Sequence, residues 1–198
     1  IMRIGVYGLG PFGRSVASRF IYSGCLVNCY SRSSSTRELF LSYASDCGLP
    51  PDLYYITNTL SELTSFSDII FLSLKNDECY DDIFHRAFID SAVSVIVDLS
   101  TISPKNSLTL RSSFDQMKVN YVEFPQLGGA QSICNGISTG LYFSNTNYSS
   151  SDYKYLIDLV SNKIFTFDSP GDPLKTKLLH NFLAASLLSS LGDCLSAS

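Results

Sequence analysis

Apolar residues recur along this chain with two alternating spacings. Short runs rich in Val, Ile, Tyr and Phe predict β-strands over 2–7, 26–30, 54–57, 68–74, 93–99, 119–124 and 138–144. Between them, helical spacing predicts helices over 11–23, 36–47, 60–66, 77–88, 104–116 and 151–161. Gly48-Leu49-Pro50-Pro51-Asp52 and the Ser/Asn stretch 144–151 break both patterns and read as loops. From Asp172 onward Leu174, Leu178, Leu179, Phe182, Leu183, Leu187, Leu188, Leu191 and Leu195 recur at helical intervals on more than one stripe. Strand and helix in alternation predict an α/β protein with a doubly wound, mostly parallel sheet and a C-terminal helix.

Composition narrows the function. The chain has 198 residues, 45% hydrophobic and 16% charged, which excludes disorder and allows one domain, or one plus a short appendage, with a sizeable core. Acidic residues outnumber basic ones, 18 to 14, and no basic cluster is denser than the one from Arg32 to Arg37. That balance argues against nucleic acid or an anionic membrane and for a small-molecule substrate. No unbroken apolar run approaches the roughly 18 residues of a membrane helix, so a soluble protein is expected. The chain enters its first strand directly from Met2 without the apolar core of a signal peptide, so the expected location is cytoplasmic; Ile1 carries no weight. Six cysteines without a C-x-x-C, and only His85 and His180, supply neither a zinc site nor a disulfide framework. No metal is expected. The cysteines read as small buried apolar residues and His85 as structural.

Gly8-Leu9-Gly10-Pro11-Phe12-Gly13 directly follows the first strand and opens the first helix. This is the G-x-G-x-x-G fingerprint in its required setting, and it makes the doubly wound sheet Rossmann-type. Gly8 serves the tight turn, Gly10 the approach of backbone to a pyrophosphate, and Gly13 the close packing of helix on strand. A carboxylate ending the second strand would hold the ribose 2′-hydroxyl of NAD; here Ser31-Arg32-Ser33 offers a guanidinium and hydroxyls, which suit the 2′-phosphate of NADP. The expected cofactor is therefore NADP, with NAD less favoured. Leu74 and Lys75, closing the fourth strand, are assigned to the same site.

Three further blocks resemble one family. Asp98-Leu99-Ser100-Thr101-Ile102-Ser103-Pro104 is similar to the D-x-S-T-x-x-P signature of the β-hydroxyacid dehydrogenases, the group of 3-hydroxyisobutyrate dehydrogenase and, more distantly, 6-phosphogluconate dehydrogenase. Pro125-Gln126-Leu127-Gly128-Gly129-Ala130 with Gly136 resembles their P-V-S-G-G segment. Gly171 with Lys177-Leu178-Leu179-His180-Asn181 resembles their G-x-G-x-x-x-K-x-x-N-N block. The resemblance implies an NADP-dependent oxidoreductase that moves hydride between nicotinamide and a small hydroxy or carbonyl substrate. It places Thr101 by the nicotinamide, Ser100, Gly128 and Gly129 by the substrate, Lys177 as catalytic acid/base and Asn181 as its partner. Spacing agrees, because Lys177 and Asn181, four apart, share one helix face. His180 is expected to help or to pack.

Three departures qualify the resemblance. Leu127 stands where the family has a carboxylate-binding serine, Pro173 replaces the second glycine of G-x-G, and the chain stops at Ser198. Residues 2–170 are thus expected to form an NAD(P)-binding Rossmann domain and 171–198 the start of an interdomain helix, the second helical domain being absent. The leucines of that helix predict a homodimer. Alternatives are a prephenate-dehydrogenase-like enzyme, a flavin, deazaflavin or metal reductase, and a non-enzymatic dinucleotide-binding module.

Overall fold

A computed structural model describes residues 2–89 and 91–196, so Ile1 and the last two positions of the expected segment 171–198 lie outside the described residues. Strands β1 (Ile4–Tyr7), β2 (Val27–Tyr30), β3 (Tyr54–Ile56), β4 (Ile69–Leu72), β5 (Val95–Asp98) and β6 (Asn120–Glu123) form one parallel sheet in the order β3-β2-β1-β4-β5-β6. Helices α1 (Pro11–Tyr22), α2 (Ser34–Asp46), α3 (Leu60–Ser65), α4 (Asp82–Phe88) and α5 (Pro104–Gln116) connect them. This is the doubly wound Rossmann arrangement expected. Strand order reverses between β1 and β4, which opens a crevice at the C-terminal ends of the strands.

Alternate residues of the central strands enter different cores. Ile69 and Phe71 of β4 join Val6, Phe20, Val95 and Val97 on one face, while Ile70 and Leu72 join Ile96, Phe84 and Phe114 on the other. Covering on both faces is why these strands are continuously apolar in sequence. In register, Tyr7 pairs with Tyr30 and Leu72, Leu72 with Asp98, and Asp98 with Glu123, so the strand ends form one rung below the crevice. Helix starts follow local chemistry: Ser33 and Ser103 accept hydrogen bonds from the amides of Thr36 and Asn106, and Pro104 takes the first position of α5.

A second sheet holds β7 (Gln126–Leu127), β8 (Ser138–Tyr142) and β9 (Ser161–Thr166), with β7 antiparallel and β9 parallel to β8. Helices α6 (Ala130–Cys134), α7 (Lys154–Val160) and α8 (Asp172–Ser196) complete the chain. The strand expected at 138–144 lies in this sheet, bridged to β6 through Glu123 and Phe143. β7 and α6 are too short to show a period. β9 is largely exposed and shows no apolar alternation, which is why its first residue, Ser161, was expected to end a helix. The helix expected at 77–88 is a 3₁₀ turn, Asp77–Cys79, followed by α4, whose start is set by Asp81 accepting from the Phe84 amide.

α8 is anchored only at its root. Pro173 and Leu174 are buried, no residue from Lys175 to Ser196 is, and Leu187, Leu188 and Leu195 are each 70% exposed. Its best 18-residue window reaches a mean hydropathy of 1.2, long and apolar enough to cross a membrane by length and composition. The reading of unbroken runs did not count this helix, because interspersed Ser and Gly interrupt its leucines without making it polar. Core helices of soluble proteins reach the same length and hydropathy. The cysteines are also corrected: all six are free thiols, but only Cys29 is buried, and Cys47 and Cys194 are exposed.

Candidate functional site

The chain leaves β1 through Gly8, whose φ of +99° suits glycine and whose added Cβ would collide with the Ser73 carbonyl oxygen. Gly13 is equally closed, because a Cβ there would strike the Gly8 carbonyl oxygen. Gly10 is the opposite: nothing lies within 4 Å of the place its Cβ would take. It caps α1 without a side chain, so the first amides of that helix face the crevice bare, a setting for an anion. These three positions fit a dinucleotide pyrophosphate, two shaping the loop and one leaving room above it.

That room is a cleft of about 500 Å³. Gly8, Leu9, Gly10, Pro11, Phe12, Ser31, Arg32, Ser33, Leu74 and Lys75 all line it, so the structure brings these expected cofactor residues together, with Gly13 packed beneath them. Thr36 and Ser73, absent from the sequence expectation, line it too. At the end of β2, Arg37 of α2 donates from Nη1 to the carbonyls of Ser31 and Arg32 and lies over the Tyr30 ring, 5.8 Å from its centre. This holds the loop that carries Arg32. The Arg32 guanidinium in turn pairs with Asp81 at 3.5 Å, both side chains being exposed. Burial beside Tyr30 pushes the Tyr7 phenol up to about 12, so it stays neutral on the cleft wall.

A second cleft of about 270 Å³ shares Phe12, Ser73, Leu74 and Lys75 with the first and is also lined by Leu99, Ser100, Thr101, Gln126, Gly128, Lys177 and Asn181. Residues 76 positions apart in sequence, Thr101 and Lys177, thus face one space. Burial lowers the Lys177 pKa below its ordinary value of 10.5. Lys75 and Lys177 are the charged residues lining this cleft, and neither cleft wall here carries a carboxylate. Gly129 is the N-cap of α6 and lines neither cleft, and His180 is exposed, without the packing role expected for it. In this cleft sequence reasoning passed over Leu99 and Gln126; the Gln126 Oε1 accepts from Ser138 and Ser161 at 2.7 and 2.6 Å, which fixes its side chain in the cleft floor. Its place beside the two glycines was the available signal.

The loops carrying these residues are sewn together from below. Asp98, fully buried, accepts from Tyr80 (2.7 Å), Tyr121 (2.8 Å) and the Ser100 amide (2.9 Å). Desolvation raises its pKa, opposed by the bonds from Ser100, Tyr80 and Tyr121. The Ser100 hydroxyl oxygen accepts from the Leu74 amide at 2.8 Å, tying the β4 and β5 loops across the junction of the two clefts. Among the described residues, no group of His, Cys, Asp and Glu is arranged to hold a metal.

With this geometry the similarities to known proteins are consistent. The 2-(hydroxymethyl)glutarate dehydrogenase of Eubacterium barkeri is 22% identical over 202 aligned positions, covering 98% of this chain and 62% of its own length. The Mycobacterium tuberculosis 3-hydroxyisobutyrate dehydrogenase structure, with L-serine, superposes at a TM-score of 0.77 with 15% identity, over 97% of this chain and 66% of that one. A reductive aminase from Aspergillus terreus in complex with NADPH and ethyl levulinate gives 0.80 and 13% identity, over 96% and 63%. At such identities the structures show a shared fold, and this chain spans about two thirds of each relative. Residues 3–163, most of the chain and all of the glycine-loop cleft, match the NAD binding domain of 6-phosphogluconate dehydrogenase. By that match, the chain belongs to the family of the NAD binding domain of 6-phosphogluconate dehydrogenase.

Proposed function

We propose that residues 2–170 are the NADP(H)-binding domain, and α8 the start of the interdomain helix, of an oxidoreductase moving hydride between nicotinamide and a small hydroxy or carbonyl compound. One observation carries this: Lys177 and Asn181 meet Thr101, Ser100 and Gly128 in a cleft that shares Phe12, Ser73, Leu74 and Lys75 with the glycine-loop cleft. The cofactor, when bound, supplies or accepts the hydride. Lys177 takes or returns the hydroxyl proton, and its desolvated amine suits that exchange. Asn181, one turn on, orients the substrate oxygen. Thr101 lies on the nicotinamide side, Gly128 offers a backbone amide to the substrate, and Ser100 lines the cleft between them, its side chain held by Leu74 and Asp98.

The cleft also supports a substrate bearing a carboxylate. Lys75 and Lys177 give it positive charge, Gln126 adds an amide, and Leu127, which stands in place of the family's carboxylate-binding serine, is not on its lining. Initial rates of NADPH oxidation with short keto or aldehyde acids are expected to exceed those with the matching methyl esters by roughly tenfold or more, the size of one lost charge-assisted contact. Equal rates would remove carboxylate recognition, and no turnover with either set would remove the reading.

Arg32 is the residue that favours NADP. Arg32→Ala is expected to weaken NADPH roughly 10- to 100-fold, as for loss of a charge-assisted hydrogen bond, and to leave NADH unchanged. Asp81→Asn, which keeps an oxygen to cap α4, should tighten NADPH by freeing Arg32. NADH binding as tightly as NADPH to the unaltered protein defeats the assignment.

The apolar length of α8 supports a two-fold homodimer in which this helix packs on its mate and covers Lys177. Light scattering at micromolar concentration is expected to give twice the 21.8 kDa of one chain. A monomer mass removes the dimer.

A further inference from the structure

The root of α8 is held by a buried carboxylate that none of the roles above uses. Glu123, 1% exposed at the end of β6, accepts the Gly171 amide with both oxygens, at 3.0 Å to Oε1 and 2.9 Å to Oε2. Its counter-charge is Arg111 of α5, whose Nη2 lies 3.4 Å from Oε1 and whose guanidinium sits between the rings of Tyr121 and Phe143, 5.4 and 4.7 Å from their centres. Nε and Nη1 of Arg111 have no hydrogen-bond partner, so the polar tie of this guanidinium is the contact of Nη2 with Glu123. Gly171 itself has a φ of +82° and packs its α-carbon side against Pro104, the first residue of α5. A carboxylate aimed at the start of a helix also complements its dipole.

We propose that Glu123 is a positioning residue for Lys177: by gripping the Gly171 amide at the only anchored end of α8, it aims the lysine into the second cleft. The proposal rests on the reading of Lys177 as the acid/base. The geometry makes the grip consequential. Lys177 stands six residues beyond Gly171, roughly 9 Å along the helix axis. A tilt of ten degrees at the root moves it by about 1.5 Å, and a misplacement of about 1 Å can cost a hundredfold in rate. Beyond Leu174 no buried side chain of the helix resists such a tilt. The buried side chains of Pro173 and Leu174 hold the helix to the domain, and the two bonds to Glu123 add a directional hold at its root.

The test uses the full chain with Glu123→Gln, which removes the charge and one of the two acceptors. Lysines are labelled by reductive ¹³C-methylation, the Lys177 signal is identified by its loss in Lys177→Arg, and its titration is followed by NMR without substrate. Lys75 is the other charged group facing that cleft and is followed in the same spectra. In the variant the Lys177 titration is expected to move up by about half a pH unit or more, as its amine regains water. The kcat is expected to fall roughly tenfold or more with NADPH affinity within about twofold, because the glycine-loop cleft is untouched. A folded variant with unchanged Lys177 titration and unchanged kcat overturns the proposal, since a merely structural Glu123 would lower the melting temperature alone. Should Glu123→Gln not fold, Glu123→Asp keeps the charge on Arg111 but shortens the reach, and the same upward movement is expected. In the unaltered protein the Gly171 amide is expected to be protected from hydrogen exchange; exchange at the rate of an exposed loop amide also overturns the proposal. If Lys177→Ala keeps full turnover, the acid/base reading fails, whereas the titration and exchange results still judge the grip of Glu123.

Discussion

Lys177→Ala is expected to lower kcat by about two to four orders of magnitude with little change in NADPH affinity, the loss typical of a positioned general acid or base. Lys177 lines the second cleft and not the glycine-loop cleft, which is why binding and chemistry should separate. The pH profile carries a sign. Oxidation of an alcohol needs the neutral amine, so its rate should rise with pH along a limb whose midpoint lies below the ordinary lysine value, burial having lowered the pKa. Carbonyl reduction needs the ammonium, so its rate should fall with rising pH through the same midpoint. Both limbs should vanish in the alanine variant. A drop of less than tenfold would demote Lys177 and favour the prephenate-dehydrogenase-like or flavin-type alternatives, which do not need it.

Gly10→Val should abolish NADP(H) binding while the protein still folds. The free space over Gly10 lets a valine be built without collision, and that space is where backbone and pyrophosphate would meet. Gly13→Ala should do the reverse, because its Cβ meets the Gly8 carbonyl oxygen inside the folded loop. Such overpacking costs roughly 1–3 kcal/mol or more, so the melting temperature should fall before binding can be measured. Isothermal calorimetry with NADPH, paired with thermal unfolding, separates the two outcomes. Native affinity in a folded Gly10→Val protein would show that the phosphate lies elsewhere.

The cofactor half of this site was legible because its chemistry is local. Gly8, Gly10 and Gly13 lie within one turn joining consecutive elements, and the restrictions on φ and on a Cβ that they express are properties of that turn. The six strands of the main sheet and the helices α1, α2, α3 and α5 were equally readable, since burial on two faces or one stripe imposes a period on contiguous residues. The second sheet was not, because β7 is two residues long and β9 is mostly exposed, so neither is forced into alternation.

By itself, then, the sequence determined an α/β doubly wound sheet, a glycine loop between β1 and α1, and an apolar helix at the end of the chain. The tertiary structure has Lys177 and Asn181 sharing a cleft with Thr101 and Gly128, a grouping the sequence offered only through its family resemblance, and it alone decided that Gln126 forms part of the floor and that Leu127 does not. It also decided that Glu123 and Arg111 grip Gly171 from β6 and α5. These are meetings of residues tens of positions apart, governed by how helices and strand ends pack rather than by any propensity of the residues themselves, and no spacing along the chain encodes them.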